Sequence, residues 1–399
     1  MQSGNVFLNQ VDELLATNHL SWLLGAGTCV DANIPLMIPL TSRIFAICES
    51  QRRKDRGRAA RILQAIQDEL GEKAHIEHIL NQMGDYIAMA ERRKDNRVKI
   101  GRLRSQVTPA ELKLLHTTVQ RWIADTIRWG YVPPSQDRDE QIGEKGSSIV
   151  DKSIHEEFVK ALFDRGQAGI ENRRVPVQFF TTNYDTLLED SLALCRLSYW
   201  DGFSGGAVAF HCHQYGSDPP PGVRAHVVKL HGSIDWHLGP DNRVYRMRDG
   251  DKCTETGGKV LIYPQATKYL ATQRDPFAAQ FDVFRRKLNL QAENVLAICG
   301  YSFGDEHINS EIELALEHED NKTTLLVFAE KPNNILESWM VRRKWGHRLY
   351  IMTAQGLYVG NQGLVYKPPT DKTLEWWTFS GVTRLLKSGT EIALREWIE

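Results

Sequence analysis

The apolar run Trp22-Leu23-Leu24 stops abruptly at Gly25-Ala26-Gly27, and no other junction constrains the fold as much. A buried parallel strand that turns straight into a helix reads this way, because both strand faces are covered and only the turn needs special backbone. Glycine at 25 permits the tight turn, and glycine at 27 lets backbone approach a ligand with no Cβ in between. A helix that follows would aim its free N–H groups and positive end at a phosphate. The dinucleotide fingerprint asks for a third glycine three residues on, where Val30 stands. On its own the junction leaves a nucleotide site and a plain strand–helix turn both open.

Four further runs carry the same kind of ending. Val175 to Phe180 ends in Thr181-Thr182-Asn183-Tyr184-Asp185, and His226 to Leu230 ends in His231-Gly232-Ser233. Val295 to Cys299 ends in Gly300-Tyr301-Ser302-Phe303-Gly304-Asp305, and Leu325 to Phe328 ends in Ala-Glu-Lys-Pro. This pattern predicts an α/β fold with a Rossmann-like, doubly wound parallel sheet, in which ligands bind outside the carboxyl ends of the strands. Between the first two strands, residues 40–172 are charged and helically periodic. Ile76, Ile79, Leu80, Met83 and Ile87 share one helical face, as do Leu112, Leu115, Val119, Trp122, Ile123 and Thr126. The expected organisation is a catalytic domain of 1–39 and 173–365, a helical insertion of 40–172, and a C-terminal tail of 366–399. Residues 6–19 read as an amphipathic helix, 131–152 and 202–222 as loops, and 333–349 as holding a helix. The tail ends in a closing helix with Trp376, Trp377 and Trp397 as candidates for assembly or packing.

The 399 residues are 42% hydrophobic and 25% charged with a net charge of −1, so any pull on nucleic acid or membrane must be local. Two local runs exist, Arg52 to Arg58 and residues 91–104, the latter with seven Lys/Arg against two acids. They leave direct nucleic-acid contact open beside the plainer reading of a solvated face. No apolar run has the length of a membrane span, and the start of the chain lacks signal-peptide character, so a cytoplasmic location is expected. The cysteines at 29, 48, 195, 212, 253 and 299 form no C-x-x-C pair and read as small buried hydrophobes of a reducing compartment. His211-Cys212-His213 has no partner pair nearby, so it reads as loop and no metal is expected.

The strand ends hold the chemistry. Asn183 and Asp185 can be a helix cap and an early-turn acid, or an amide and a carboxylate facing a ligand. His231 can be a satisfied core histidine or an acid–base group. Taken together and in order, GAG, TTNYD, KLHGS and GYSFGD resemble the sirtuin-like domains of bacterial anti-phage NAD hydrolases, over residues 20 to 310. The resemblance implies a sirtuin-like fold. It implies that NAD is bound as substrate by Gly25, Ala26, Gly27, Thr28, Thr182, Gly300 and Ser302. It implies catalysis by Asn183, Asp185 and His231: cleavage of the nicotinamide–ribose bond to nicotinamide and ADP-ribose, which depletes NAD in anti-phage defence. It also implies a homo-oligomer that partners a hexameric HerA-type ATPase. A protein deacylase, an ADP-ribosyltransferase and a non-catalytic NAD or ADP-ribose sensor are the alternatives. Against deacylation, the chain lacks the four cysteines of the zinc ribbon after the histidine, Asn33-Ile34-Pro35-Leu36-Met37 lacks the usual arginine, and Thr182 stands where a glutamine is usual.

Overall fold

Leu20–Leu24, buried at every position, forms the strand β1 at the middle of the main sheet, as the apolar run requires. The computed structural model describes residues 2–51, 57–165, 175–239, 241, 243–248, 259–261, 275–368 and 372–398. Cys253 and most of the first basic run therefore lie outside the described residues. Helix α1 (Gln2–Ala16) precedes β1. After it come helices α2 (Met37–Ser50), α3 (Arg58–Leu70), α4 (Ile76–Arg92) and α5 (Pro109–Trp129). The small hairpin β2 (Tyr131–Val132) and β3 (Gln141–Ile142) and helix α6 (Ser153–Arg165) follow. The chain continues through β4 (Val177–Thr181), α7 (Leu187–Leu194), β5 (Tyr199–Trp200), β6 (Phe203–Gly205), β7 (Val208–His211) and β8 (Ala225–Lys229). Next are β9 (Gly232–Leu238), β10 (Val244–Met247), β11 (Lys259–Leu261), α8 (Phe277–Leu288) and β12 (Asn294–Cys299). The final elements are α9 (Glu306–Glu317), β13 (Thr323–Phe328), α10 (Asn334–Met340), β14 (Leu349–Thr353), β15 (Gly356–Val359), β16 (Leu364–Tyr366) and α11 (Phe379–Ile398).

Among the described residues the main sheet has nine strands in the order β16-β15-β14-β13-β12-β1-β4-β8-β5. From β14 to β5 every pairing is parallel, and β15 and β16 add an antiparallel edge. The expected doubly wound α/β sheet is therefore present. Successive side chains leave a strand on opposite faces. Trp22 and Leu24 join one apolar cluster with α1, α6, α7 and α11, while Leu23 joins another with α8, α9 and α10. A third cluster unites α2 to α5 and reaches Cys29, Ile34, Tyr184, Leu187 and Ile234.

Several expectations are corrected. The GAG turn is followed by a 3-10 turn, Ala26–Cys29, and the next α-helix begins only at Met37. The stretch 202–222 is not all loop: it contains β6 and β7, which belong to a second sheet ordered β11-β9-β10-β7-β6. Gly205 at φ +134 lets the chain double back between them. The stretch 333–349 does hold a helix, α10, as expected, and the buried Trp339 and Trp345 lie between its last turn and β14. Trp376 is buried, with its indole N–H donating to the Thr353 carbonyl at 2.6 Å, and Trp377 and Trp397 pack against the same cluster. Helix α11 breaks at Gly389 (φ 78), and Asp12 of α1 takes the exposed amide and hydroxyl of Thr390 at 3.1 and 2.7 Å. No helix among the described residues is long and apolar enough to cross a membrane.

Candidate active site

The chain leaves β1 toward β4 and β8, then returns to the other side of β1 as β12. Loops that follow β1 and β12 must therefore diverge, and such a switch point is where open α/β sheets form a crevice. Here the two loops first interlock. The Gly25 and Gly27 amides donate to the Cys299 and Gly300 carbonyls at 3.0 and 2.9 Å. A Cβ on Gly25 would fall 2.5 Å from the Tyr301 Cα, and one on Gly27 would fall 2.8 Å from the Gly300 Cα. The glycines are thus required by the neighbouring loop, a constraint the local pattern did not reveal. Thr28 closes the turn by donating its hydroxyl to the Gly25 carbonyl at 2.8 Å.

Asn183 joins this turn from β4. Its backbone N–H donates to the Thr181 hydroxyl at 3.0 Å, and the Thr181 hydroxyl in turn donates to the Leu24 carbonyl at 3.0 Å. The Thr182 amide also donates to Leu24, at 3.1 Å. The Asn183 side-chain amide then donates to Thr28 Oγ1 and to Cys29 Sγ, both at 3.1 Å. Its Oδ1 is buried and has no hydrogen-bond partner. Asp185 accepts the Cys29 thiol at 3.2 Å through Oδ2 and the Leu187 amide at 3.0 Å through Oδ1. One oxygen thus meets the first amide of α7, in line with the capping reading, while the other is turned to Cys29. Burial and then the Asp185 carboxylate push the Cys29 thiol well above its ordinary range, so the sulfur is a neutral donor here.

Below this layer Lys229 is buried, donating to the Asp185 carbonyl and sitting 3.2 Å from Glu189. Burial works against its charge, but Glu189, Asp185 and Asp235 outweigh that and raise its pKa. His155 of α6 is buried, with Nε2 3.9 Å from Cys29 Sγ, and burial lowers its pKa.

His231 ends β8. The Leu230 amide donates to Thr181 at 2.9 Å, the Ile234 amide donates to Tyr184 at 2.9 Å, and Ser233 Oγ donates to Tyr184 at 3.2 Å. These bonds run segment 181–185 alongside 230–234. The buried His231 side chain meets His307 Nε2 at 3.3 Å and Asp305 Oδ1 at 3.7 Å. Ser302 is exposed, and its hydroxyl accepts the Gly304 amide at 3.3 Å. A cavity of about 380 Å³ opens where Asp185 and Leu187 face Ile34, Trp129, Ile234 and Arg248.

Gly25 to Thr28, Thr182, Asn183, Asp185 and Gly300 are thus brought into one hydrogen-bonded assembly, with His231 alongside and Ser302 at its exposed margin. Sequence reasoning missed Cys29, read as filler, together with Lys229, His155 and His307. Only the position of His307, two residues past GYSFGD, could have marked it. Cys29 is buried as expected, but Cys212 is exposed.

A family model described as "SIR2-like domain" matches residues 177–350. No curated protein matches the chain. Among solved structures, a Sir2 homologue in complex with NAD is similar at a TM-score of 0.38 and 12% identity, over 82% of this chain and 85% of that one. The segment that this family model matches carries TTNYD, KLHGS and GYSFGD.

Proposed function

We propose that the chain hydrolyses NAD between nicotinamide and ribose, releasing nicotinamide and ADP-ribose. The observation that carries this reading is the buried Asn183 Oδ1, without a partner, beside Asp185 at the switch point of a SIR2-like sheet. A buried acceptor left unbonded costs about 1–3 kcal/mol, which a bound water or substrate hydroxyl would recover. In this scheme the turn at Gly25 to Thr28, with Gly300 and Ser302, borders the pyrophosphate and adenosine. The cavity beside Asp185 takes the nicotinamide, with Ile34, Ile127, Trp129 and Ile234 beside the ring in an otherwise largely charged and polar lining, and the Asp185 carboxylate suiting the carboxamide. Bond cleavage leaves an oxocarbenium-like ribose, which the Asp185 charge stabilises. The C–N electron pair leaves with neutral nicotinamide, Asn183 orients the attacking water without changing protonation, and the water's proton passes through a ribose hydroxyl to His231 as that hydroxyl gives up its own.

The same reading makes residues 40–172 an insertion over the nucleotide side of a catalytic domain formed by 1–39 and 173–365. It places the protein in the cytoplasm as a homo-oligomer of anti-phage defence, controlled through a HerA-type ATPase because an unrestrained NAD hydrolase would kill its host. The second basic run, exposed from Arg92 to Arg104 around the buried Val98 and Ile100, is the surface on offer for such contacts.

Purified protein mixed with NAD alone, with and without the ATPase, tests the reaction. Nicotinamide and ADP-ribose should form without an acyl-peptide or other acceptor. His231→Ala should lower the rate roughly 10²- to 10⁴-fold with an unchanged circular dichroism spectrum. Nicotinamide release only when an acyl-lysine peptide is present would instead establish a deacylase, and wild-type turnover in His231→Ala would remove the histidine from the mechanism.

A further inference from the structure

The contact between His231 and His307 offers more than one histidine in one role. Their Nε2 atoms face each other at 3.3 Å, with ring planes 22° apart. Asp305 Oδ1 lies 3.7 Å from His231 Nε2, and one donor atom from each of the three residues falls within 4.8 Å of the others. Among the described residues this is the only group of three or more His, Cys, Asp or Glu side chains gathered so tightly. A tetrahedral zinc ion with bonds of about 2.0–2.1 Å to two imidazoles holds their nitrogens roughly 3.3–3.4 Å apart, so the spacing needs no adjustment.

The scaffold fixes these positions. Asp305 occupies the position just before α9, without a side-chain capping bond, and His307 lies in the helix's first turn. Tyr301 Oη donates to the Asp305 carbonyl at 3.3 Å, and the Asn309 side chain donates to the Phe303 carbonyl at 2.8 Å, so the 301–309 loop is braced from within. Phe281 covers one side of the His307 ring, at 5.4 Å between centroids. Two imidazoles and one carboxylate suit Zn²⁺ and its late transition-metal neighbours, whereas Mg²⁺ and Ca²⁺ want oxygen alone. Three protein ligands leave a fourth position for water.

We propose that His231, Asp305 and His307 form a binding site for a divalent transition-metal ion, best matched by Zn²⁺, and that the bound ion silences the enzyme by occupying His231. This proposal departs from the expectation of no metal. The binding half stands on the geometry alone. The silencing half rests on the hydrolase reading, in which His231 must keep a free lone pair for the ribose hydroxyl; an ion coordinated there removes it.

The full chain, stripped with chelator and dialysed, is titrated calorimetrically with zinc sulfate. One ion per chain should bind. His307→Gln and Asp305→Asn should each weaken it at least about tenfold at unchanged circular dichroism, since even outer-shell changes cost roughly 10- to 100-fold. Cys212→Ser, at an exposed thiol, should bind as wild type. Cobalt in place of zinc should give visible d–d absorption that His307→Gln abolishes. No uptake by wild type, or wild-type affinity in both ligand variants, overturns the site whatever the NAD assay shows. Turnover is then followed on the stripped protein: where nicotinamide is released, saturating zinc should suppress it at least tenfold, and persistence of the rate overturns the silencing. A stripped protein that binds zinc but never cleaves NAD counts against the hydrolase reading and against silencing, and leaves the metal site standing.

Discussion

Gly300 has a positive φ of +65, and a Cβ placed on it would lie 2.8 Å from the Gly27 carbonyl carbon. That carbon and the Thr28 nitrogen, which the Cβ would also meet, are backbone held by the turn that Thr28 closes, so neither can yield cheaply. Gly300→Ala should therefore destabilise the protein by roughly 3 kcal/mol or more, the sum of a left-handed alanine and a displaced loop. Gly146 supplies the control: it has φ +90 but nothing within 4 Å of an added Cβ, so Gly146→Ala should show only the conformational cost, about 1–2 kcal/mol. Urea midpoints of the two variants measure the difference, and equal losses would refute the interlocked-loop account. At this scale the sequence was legible where chemistry is local. Gly25 and Gly27 announce a turn, and Asn183 and Asp185 announce polar groups beyond a strand. That Gly300 fills the space against both glycines was not legible, because a local pattern does not name the distant loop packed against it. Cys29 was hidden for the same reason: its bonds to Asn183 and Asp185 span more than 150 residues, at sequence separations of 154 and 156.

Elements were readable where burial is two-sided. β1, β4, β8, β12 and β13 are continuous apolar runs because helices cover both faces, and each stands out against polar flanks. β6, β7, β9 and β10 pack a smaller cluster around Trp236 and Phe277, so only part of each strand must be apolar and the run signal fades. Helix α11 shows the other limit. Its sequence suggests a closing helix, but not the break at Gly389 or the cap from Asp12, which lies 378 positions away. Of the tail's tryptophans, candidates for assembly or packing, Trp376 belongs to the molecule's own core: it is 0% exposed and its ring lies 6.0 Å from Tyr366. Trp376→Ala should accordingly cost about 3–5 kcal/mol of folding stability, as large core truncations do. Thermal and urea denaturation would show it at any protein concentration. A loss confined to dilute samples, with the concentrated protein unaffected, would return this residue to an interface.

For the molecule as a whole, the arrangement of the sheet follows from one requirement: the strand carrying the first glycine turn must be flanked by strands reached in opposite directions, so that their loops part over it. Meeting that requirement buries histidines in elements all round the core. His116 of α5 and His211 of β7 are both pushed down to about 4, in each case mainly by burial, which the Gln120 bond and the Asp275 charge respectively oppose. Their unfolded value is near 6.5, so between pH 6.5 and 4 the unfolded chain binds protons that the native chain refuses. Stability therefore rises with pH across this window and is lost as the solution is acidified through it, by roughly 3 kcal/mol for each group at order of magnitude. His155, His213 and His226 are shifted in the same direction, each mainly by burial, and add to the loss. Urea unfolding followed from pH 7 to 4 should show a steadily falling midpoint, and the double variant His116→Gln with His211→Gln should flatten that fall. The sign is the decisive feature, since a histidine stabilised as a cation would make the protein firmer on acidification. A midpoint that held constant or rose toward pH 4, or a double variant with the wild-type slope, would show that these side chains are not kept neutral by the fold.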